Sequence, residues 1–257
     1  TTSEKILPDG CSSLLKPATI NLRGLLALIT INDLQFNYAD HRFQLAIQNW
    51  QVNQGQHVAI VGPSGSGKTT LLHLLAGILR PQTGRIQVGN CEVSSASDAE
   101  RRDFRATQIG LVFQQFELID YLNVRDNIYL PFRINRRLQI DAPTHQRFQE
   151  LVERTGIAHL QRQSVRQLSQ GERQRVAICR ALITEPKWIL ADEPTGNLDP
   201  ENKTLIVDLL QQQASRAEAT LLMVTHDTSL VSSFPDVVDF QQWRALSRNE
   251  VEAETRV

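Results

Sequence analysis

The chain is poor in the features that would fix a fold covalently or carry it into a membrane. It has three cysteines in 257 residues, Cys11, Cys91 and Cys179. They are far apart and odd in number, which argues against a disulfide framework and fits reduced thiols in a cytosolic protein. The six histidines, His41, His57, His73, His145, His159 and His226, include no pair at metal-ligand spacing, so no structural zinc is expected. The longest apolar run, "GLLALITI" at 24–31, falls far short of the roughly 20 residues that span a bilayer. Excess charge is lacking too. With 27 basic and 28 acidic side chains the formal net charge is -1, and no global field draws nucleic acid or an anionic membrane. The local groups Arg101, Arg102, Arg105 and Arg133, Arg136, Arg137 read as solvated helix faces. Residues 1–23 show neither an apolar h-region nor a cleavage pattern, so 1–26 is expected to be a loose N-terminal extension rather than a signal peptide. Business with a membrane is therefore expected to pass through a partner chain.

What is present is ordinary globular composition, 41% hydrophobic and 21% charged. The length gives room for one substantial core with an inserted subdomain. "ALITINDLQFNY" (27–38) and "FQLAIQNWQV" (43–52) alternate with period two around a turn, which predicts an antiparallel hairpin. "HVAIVG" (57–62) is a continuous apolar run ending in Gly, as in a strand buried on both faces. A helical run follows at 67–79, with its stop expected at Pro81, and "RIQVGNCEV" and "IGLVFQ" (109–114) read as further strands. From about 115 to 170 apolar residues recur at helical spacing, as in "VRDNIYLPFRI" and "HQRFQELVERTGI", with Gly156 as a helix C-cap. This stretch is expected to be a helical subdomain inserted between strands. Alternation then returns: strand "KWILADE" (187–193), helix "ENKTLIVDLLQQQ" (201–213) and strand "ATLLMVTHD" (219–227). Such alternation implies a parallel sheet with right-handed crossovers. Residues 241–257 are polar and read as a short helix or a frayed tail.

Two stretches carry recognisable chemistry. "GPSGSGKT" (62–69) fits G-x-x-x-x-G-K-[ST] between a buried strand and a helix. Gly62, Gly65 and Gly67 let the backbone curl so that N–H groups point at phosphate oxygens, and the helix N-terminus adds partial positive charge. Lys68 can reach the β- and γ-phosphates, and the Thr69 hydroxyl can ligate Mg²⁺. "WILADEPTGNLD" (188–199) sets Asp192 and Glu193 at the carboxyl end of an apolar strand, the edge of a parallel sheet where ligands bind. Adjacent strand residues face opposite ways, so the two carboxylates should differ in role: one in a Mg²⁺ shell, the other polarising a water.

"LSQGE" followed by "RQRVAICRAL" (168–182) resembles the signature of ABC ATPases, L-S-G-G-Q ahead of a Q-R-[VL] helix. Further markers stand in that family's order: "VFQQF" (112–116) as the Q-loop, "ILADEP" as Walker B, "GNLD" (196–199) as the D-loop and "VTHD" (224–227) with the switch histidine. The resemblance covers about 27–235 and implies an α/β fold, a P-loop NTPase (RecA-like) core with an antiparallel β subdomain and an inserted α-helical subdomain. An ATPase domain over 27–240 and a tail at 241–257 follow from it. It also implies ATP and Mg²⁺ as ligands. ATP would be held by Tyr38, Gly62, Ser64, Gly65, Ser66, Gly67, Lys68, Thr69 and Thr70, with Tyr38 stacking on adenine. Thr69, Gln114 and Asp192 would serve the metal, while Glu193, His226 and Gln114 would act in hydrolysis. Ser169, Gln170, Gly171 and Glu172 would act in trans, and Asp199 at the dimer seam. Gln170 and Glu172 depart from the usual Gly and Gln. The implied partners are a second ATPase subunit in a head-to-tail dimer and integral membrane permease subunits on separate chains, at the cytoplasmic face of the membrane. Nucleic acid is not among them, because about 101 positions between Lys68 and Ser169 leave no room for the coiled-coil insertion of chromosome-type relatives. "DEPTGNLD" is most like the lipoprotein-release and macrolide-efflux branch. Mechanical action on a membrane assembly, as in the cell-division branch, or the work of a non-transport ABC ATPase stays open beside transport.

Overall fold

The computed structural model describes residues 29–39, 43–196, 198 and 200–243. The expected N-terminal extension and most of the polar tail lie outside the described residues. In chain order, β1 (Ile29–Asn37) and β2 (Gln44–Val52) form the antiparallel hairpin, with Ile31 opposite Trp50 and Phe36 opposite Leu45. Their alternation buries Ile29, Ile31, Leu34, Phe36, Leu45, Ile47 and Val52. The phase slips once, at Asp33 (φ 49°), where the register to the next strand shifts between Asn32 and Gln35. β3 (His57–Val61) leads into α1 (Lys68–Leu75), then β4 (Thr83–Val88), β5 (Cys91–Glu92), α2 (Asp98–Gln108) and β6 (Ile109–Val112). Between β6 and β7 (Trp188–Asp192) lie α3 (Val124–Ile128), α4 (Leu130–Ile134), α5 (Ala142–Arg154) and α6 (Gln170–Leu182). α7 (Pro200–Arg216), β8 (Thr220–Thr225) and β9 (Asp236–Asp239) complete the described chain.

Two sheets result. One is antiparallel, in the order β2-β1-β4-β5, and the other is parallel throughout, in the order β6-β7-β8-β3-β9. The parallel sheet separates two cores by strand alternation. Ile189, Ala191, Leu221 and Met223 face α6 and α7, whereas Trp188, Leu190, Leu222 and Val224 face α1 and the antiparallel sheet. Each such Val, Leu, Ile or Met side chain contributes about 1.5–3 kcal/mol on burial, and the sum fixes the strand ends that carry the site.

Several expectations need correction. The helix after the phosphate loop stops at Leu75, well before Pro81. Gly77 takes φ +64°, and its N–H bonds Leu74 O while the Ile78 N–H bonds His73 O, which closes the helix with a left-handed cap. A Cβ at Gly77 would lie 2.9 Å from Val93, so space as well as φ requires glycine there. The helical spacing of "VRDNIYLPFRI" resolves into two short helices that break at Tyr129, because Pro131 cannot supply an N–H to continue the ladder. Gly156 (φ +69°) lies one residue past the C-cap Thr155 of α5, and the amphipathic helix at 201–213 runs on to Arg216. β9 was not apparent as an element in the sequence pattern, and α2 only as the helix face of Arg101, Arg102 and Arg105, of which Arg101 is buried rather than solvated.

Candidate active site

β3 delivers the chain into the phosphate loop, and α1 begins at its end. Gly65 (φ +75°) and Gly67 (φ +110°) are left-handed, and Gly67 is the N-cap of α1 with no side chain capping it. The first bond within the helix is Leu71 N–H to Gly67 O at 3.0 Å, so the N–H groups of Lys68, Thr69 and Thr70 precede the ladder. Lys68 is buried, and its ammonium donates to Gly62 O at 2.8 Å and Pro63 O at 3.0 Å. Ser66 Oγ is buried without a partner among the described residues, a state that costs about 1–3 kcal/mol unless a ligand or water satisfies it. Ser64 is exposed at the crest of the loop. These observations fit a phosphate chain: a left-handed glycine cradle, free helix-start donors, a buried cation and an orphaned hydroxyl.

The two carboxylates at the end of β7 are separated. Asp192 accepts from Thr69 Oγ1 at 3.1 Å. Burial pushes its carboxyl above the usual range, and the Thr69 bond opposes that. Glu193 follows the strand with φ 45°, its N–H bonded to Val224 O at 3.0 Å. Its Oε1 lies 3.5 Å from Lys68 Nζ and its Oε2 lies 2.7 Å from His226 Nδ1. One carboxylate thus joins the metal-competent hydroxyl, and the other links the phosphate-loop cation to the histidine. Gln114 is exposed just beyond β6, its amide 3.6 Å from where a Cβ on Gly196 would lie, beside the turn that begins at Glu193. Among the described residues no three His, Cys, Asp or Glu side chains cluster as a metal cage. The donor set Thr69, Asp192 and Gln114 is oxygen-bearing and carries one carboxylate, which fits Mg²⁺ completed by phosphate and water oxygens.

Tyr38, 41% exposed, stands at the end of β1 with its hydroxyl 2.9 Å from Thr70 Oγ1. Phe36 meets its ring edge-on at 5.0 Å, and Phe43 lies tilted at 5.8 Å. Phe43 was missed as a site residue. Its ring covers Gly67 so closely that a Cβ there would come within 2.2 Å. The signal was weak, an aromatic that the alternation had already used as a strand residue.

Ser169, Gln170, Gly171 and Glu172 open α6, and their hydrogen bonds are local. Ser169 is the N-cap, accepting from Glu172 N–H at 3.3 Å, while Glu172 accepts in return from Ser169 N–H at 2.7 Å. A bond from the Ser169 hydroxyl at 2.7 Å, followed by the one from its N–H, holds the Glu172 carboxyl below the usual range. Beyond its own helix backbone, nothing among the described residues comes nearer than 3.8 Å to a Cβ placed on Gly171, so no contact among them requires glycine there. Asp199 lies outside the described residues. Arg180 was also missed. It is buried on α6 and donates to Phe116 O at 2.6 Å and to Glu117 O, two consecutive left-handed residues (φ 63° and 49°) just after Gln114. A cation on the apolar face of a helix was the available signal.

Comparison with known proteins agrees with this geometry. The "ABC transporter" family profile matches residues 45–196. The lipoprotein-releasing system ATP-binding protein LolD of Saccharophagus degradans is 39% identical over 189 residues, 74% of this chain and 82% of that protein. The LolD of Hydrogenovibrio crunogenus is 38% identical over 208 residues, 80% and 90% of the two chains. Among solved structures, the dimeric bacterial ABC transporter cassette MJ0796 superposes with a TM-score of 0.71 at 31% identity, covering 81% of this chain and 92% of that one. Its dimeric post-hydrolysis state bound to ADP and Pi gives a TM-score of 0.69 at 32% identity, covering 79% and 89%. With the phosphate loop, the acidic strand end and the signature helix in this arrangement, the chain belongs to the ABC transporter family, as an ATP-binding cassette with ATPase activity.

Proposed function

We propose that the chain is the ATP-hydrolysing subunit of a membrane transporter of the lipoprotein-release or macrolide-efflux kind, working as a head-to-tail dimer on the cytoplasmic face of the membrane. The observation that carries the reading is the line Lys68–Glu193–His226, in which one carboxylate touches both the phosphate-loop cation and the histidine. Lys68 is satisfied by two loop carbonyls, and a triphosphate offers it stronger, charge-assisted acceptors. Glu193 is the base: as the water oxygen bonds to the γ-phosphorus and the bond to ADP breaks, a water proton passes to the carboxylate. His226 contacts the γ-phosphate, and Gln114 orients the water. Mg²⁺, held by Thr69, Asp192 and Gln114, would neutralise developing charge on the phosphate oxygens.

Gly171 supports the dimer. Gly171 stands in the first turn of α6, and no neighbour among the described residues requires glycine there. Close approach by something outside the chain does, namely the nucleotide on a second copy. The transporter branch rests on relatives described as ATP-binding proteins of lipoprotein-releasing systems, 37–40% identical to this chain. A membrane subunit would seat in the groove of about 710 Å³ between α2, β6, α4 and α6, lined by Leu111, Phe113, Pro131 and Ile134 with Arg105 and Arg180. We assign the ATPase domain to 27–240, with its helical subdomain at about 115–170. Affinity isolation of the chain from solubilised membranes tests this reading. An integral membrane protein that stimulates ATP hydrolysis is expected to co-purify. Recovery with ribosomes or DNA and no integral membrane protein would overturn it.

A further inference from the structure

Both donors of Ser169 are already occupied, and by the same oxygen. Glu172 Oε2 accepts the Ser169 N–H at 2.7 Å and the Ser169 O–H at 2.7 Å. The hydroxyl has a single proton, so while it serves Glu172 it has none for another acceptor. The carboxylate is ionised at neutral pH, held so by the Ser169 bonds, and it stands in the first turn of α6, where the helix dipole favours an anion. Arg175 and His159 act on Glu172 through space rather than by hydrogen bonds, so the charge is not closely neutralised. This helix start is therefore already supplied with an anion, in the place where the function proposed above puts a γ-phosphate.

We propose that Glu172 is an internal competitor of the γ-phosphate, which must give up the Ser169 hydroxyl before the ATP-bound dimer can close. The inference rests on the composite site proposed above and concerns what sets the strength of that site. Two anions cannot share one hydroxyl proton, and the carboxylate would stand within a few ångströms of the phosphate it displaces or yields to. A neutral amide of the same shape lifts the repulsion without removing the helix cap, because S-x-x-Q closes a capping box as S-x-x-E does. The chain thus binds its second copy less tightly than a glutamine at this position would allow, and hydrolysis is followed by easy separation.

The test is Glu172→Gln in a Glu193→Gln background, in which ATP is expected to stay bound while turnover is lost. Dimerisation of the full chain is followed by sedimentation velocity with Mg·ATP at low and high NaCl. The double variant is expected to dimerise at about tenfold lower protein concentration than Glu193→Gln alone, with the gap shrinking as salt screens the repulsion. A purely structural role for Glu172 would show no such dependence on salt. Equal or weaker dimerisation of the double variant, with Glu193→Gln itself dimerising, overturns the inference and leaves the composite site standing. Failure of Glu193→Gln to dimerise with ATP under any condition overturns the composite site, and the inference with it.

Discussion

Glu193 and His226 meet across the ends of neighbouring strands, carboxylate oxygen to imidazole Nδ1 at 2.7 Å, with the Glu193 main chain left-handed at φ 45°. A non-glycine residue in that region is strained by about 1–3 kcal/mol. The bonds from Glu193 N–H to Val224 O and from the side chain to His226 hold it there. Engagement of Nδ1 leaves Nε2 as the nitrogen available to a substrate. Glu193→Gln keeps the size and a hydrogen-bonding oxygen but cannot take a proton. Steady-state ATP hydrolysis is expected to fall by at least about 100-fold while nucleotide binding persists. With ATP the variant should elute as a dimer on size exclusion. Unimpaired turnover would rule out Glu193 as the base.

Much of this site was legible in sequence because its parts are local. The phosphate loop is one strand–turn–helix unit, and Asp192 and Glu193 are adjacent at a strand end, so the pattern sufficed to expect different partners for them, although the left-handed turn at Glu193 rather than strand alternation sets them apart. What was not legible depends on long-range placement. Phe43 covers Gly67 only because the β1–β2 hairpin folds back on α1, and nothing in its own neighbourhood marks it. Arg180 reaches residues more than sixty positions earlier. The early stop of α1 was visible in principle at Gly77, but periodicity outweighed it, since Ile78 and Leu79 continue the apolar pattern in sequence. Glu172 stood as a departure whose direction was open. The structure turns it back onto Ser169 in a capping box, which the S-x-x-E spacing ahead of an apolar run already signalled.

Tyr38 offers two features, an exposed ring and a hydroxyl bonded to Thr70. Stacking of a base on an aromatic ring contributes about 1–3 kcal/mol. Tyr38→Ala is therefore expected to weaken ATP binding about tenfold in an equilibrium titration with a fluorescent analogue. Tyr38→Phe keeps the ring and should stay close to the parent. Equal losses in both variants would assign the effect to the hydroxyl and its anchor on α1 instead.

Arg180 pins two successive left-handed residues, Phe116 and Glu117, which follow Gln114 after one intervening residue. Burial pushes its guanidinium pKa down to about 10, so it remains charged at neutral pH. Arg180→Met leaves two carbonyls without their donor and is expected to cost about 2–3 kcal/mol in urea unfolding. Arg180→Lys cannot span both carbonyls with a planar fork and should recover only part of that. ATP hydrolysis should drop in both variants, because the segment carrying Gln114 loses its anchor. Unchanged unfolding midpoints would show that the two left-handed residues hold their conformation without it.

Asp227, the neighbour of His226, accepts from Lys203 Nζ at 2.6 Å through Oδ2, while Oδ1 caps the turn Thr228–Ser233 through Ser229. The Lys203 bond is the leading cause that brings its pKa down from 3.8 to about 2, followed by the Ser229 bond. The folded-state value lies below the unfolded one. The resulting stability is therefore fully present above about pH 4 and is lost as pH falls through about 2. Lys203→Met removes the leading cause and lets the folded pKa rise toward the ordinary value. The pair is partly exposed, so the loss at neutral pH should be about 1 kcal/mol. Urea midpoints of parent and variant should differ at pH 7 and converge as the pH is brought down through that window. A difference that stays constant down to the acid limit would mean that Lys203 stabilises the fold by packing alone, without holding the Asp227 charge.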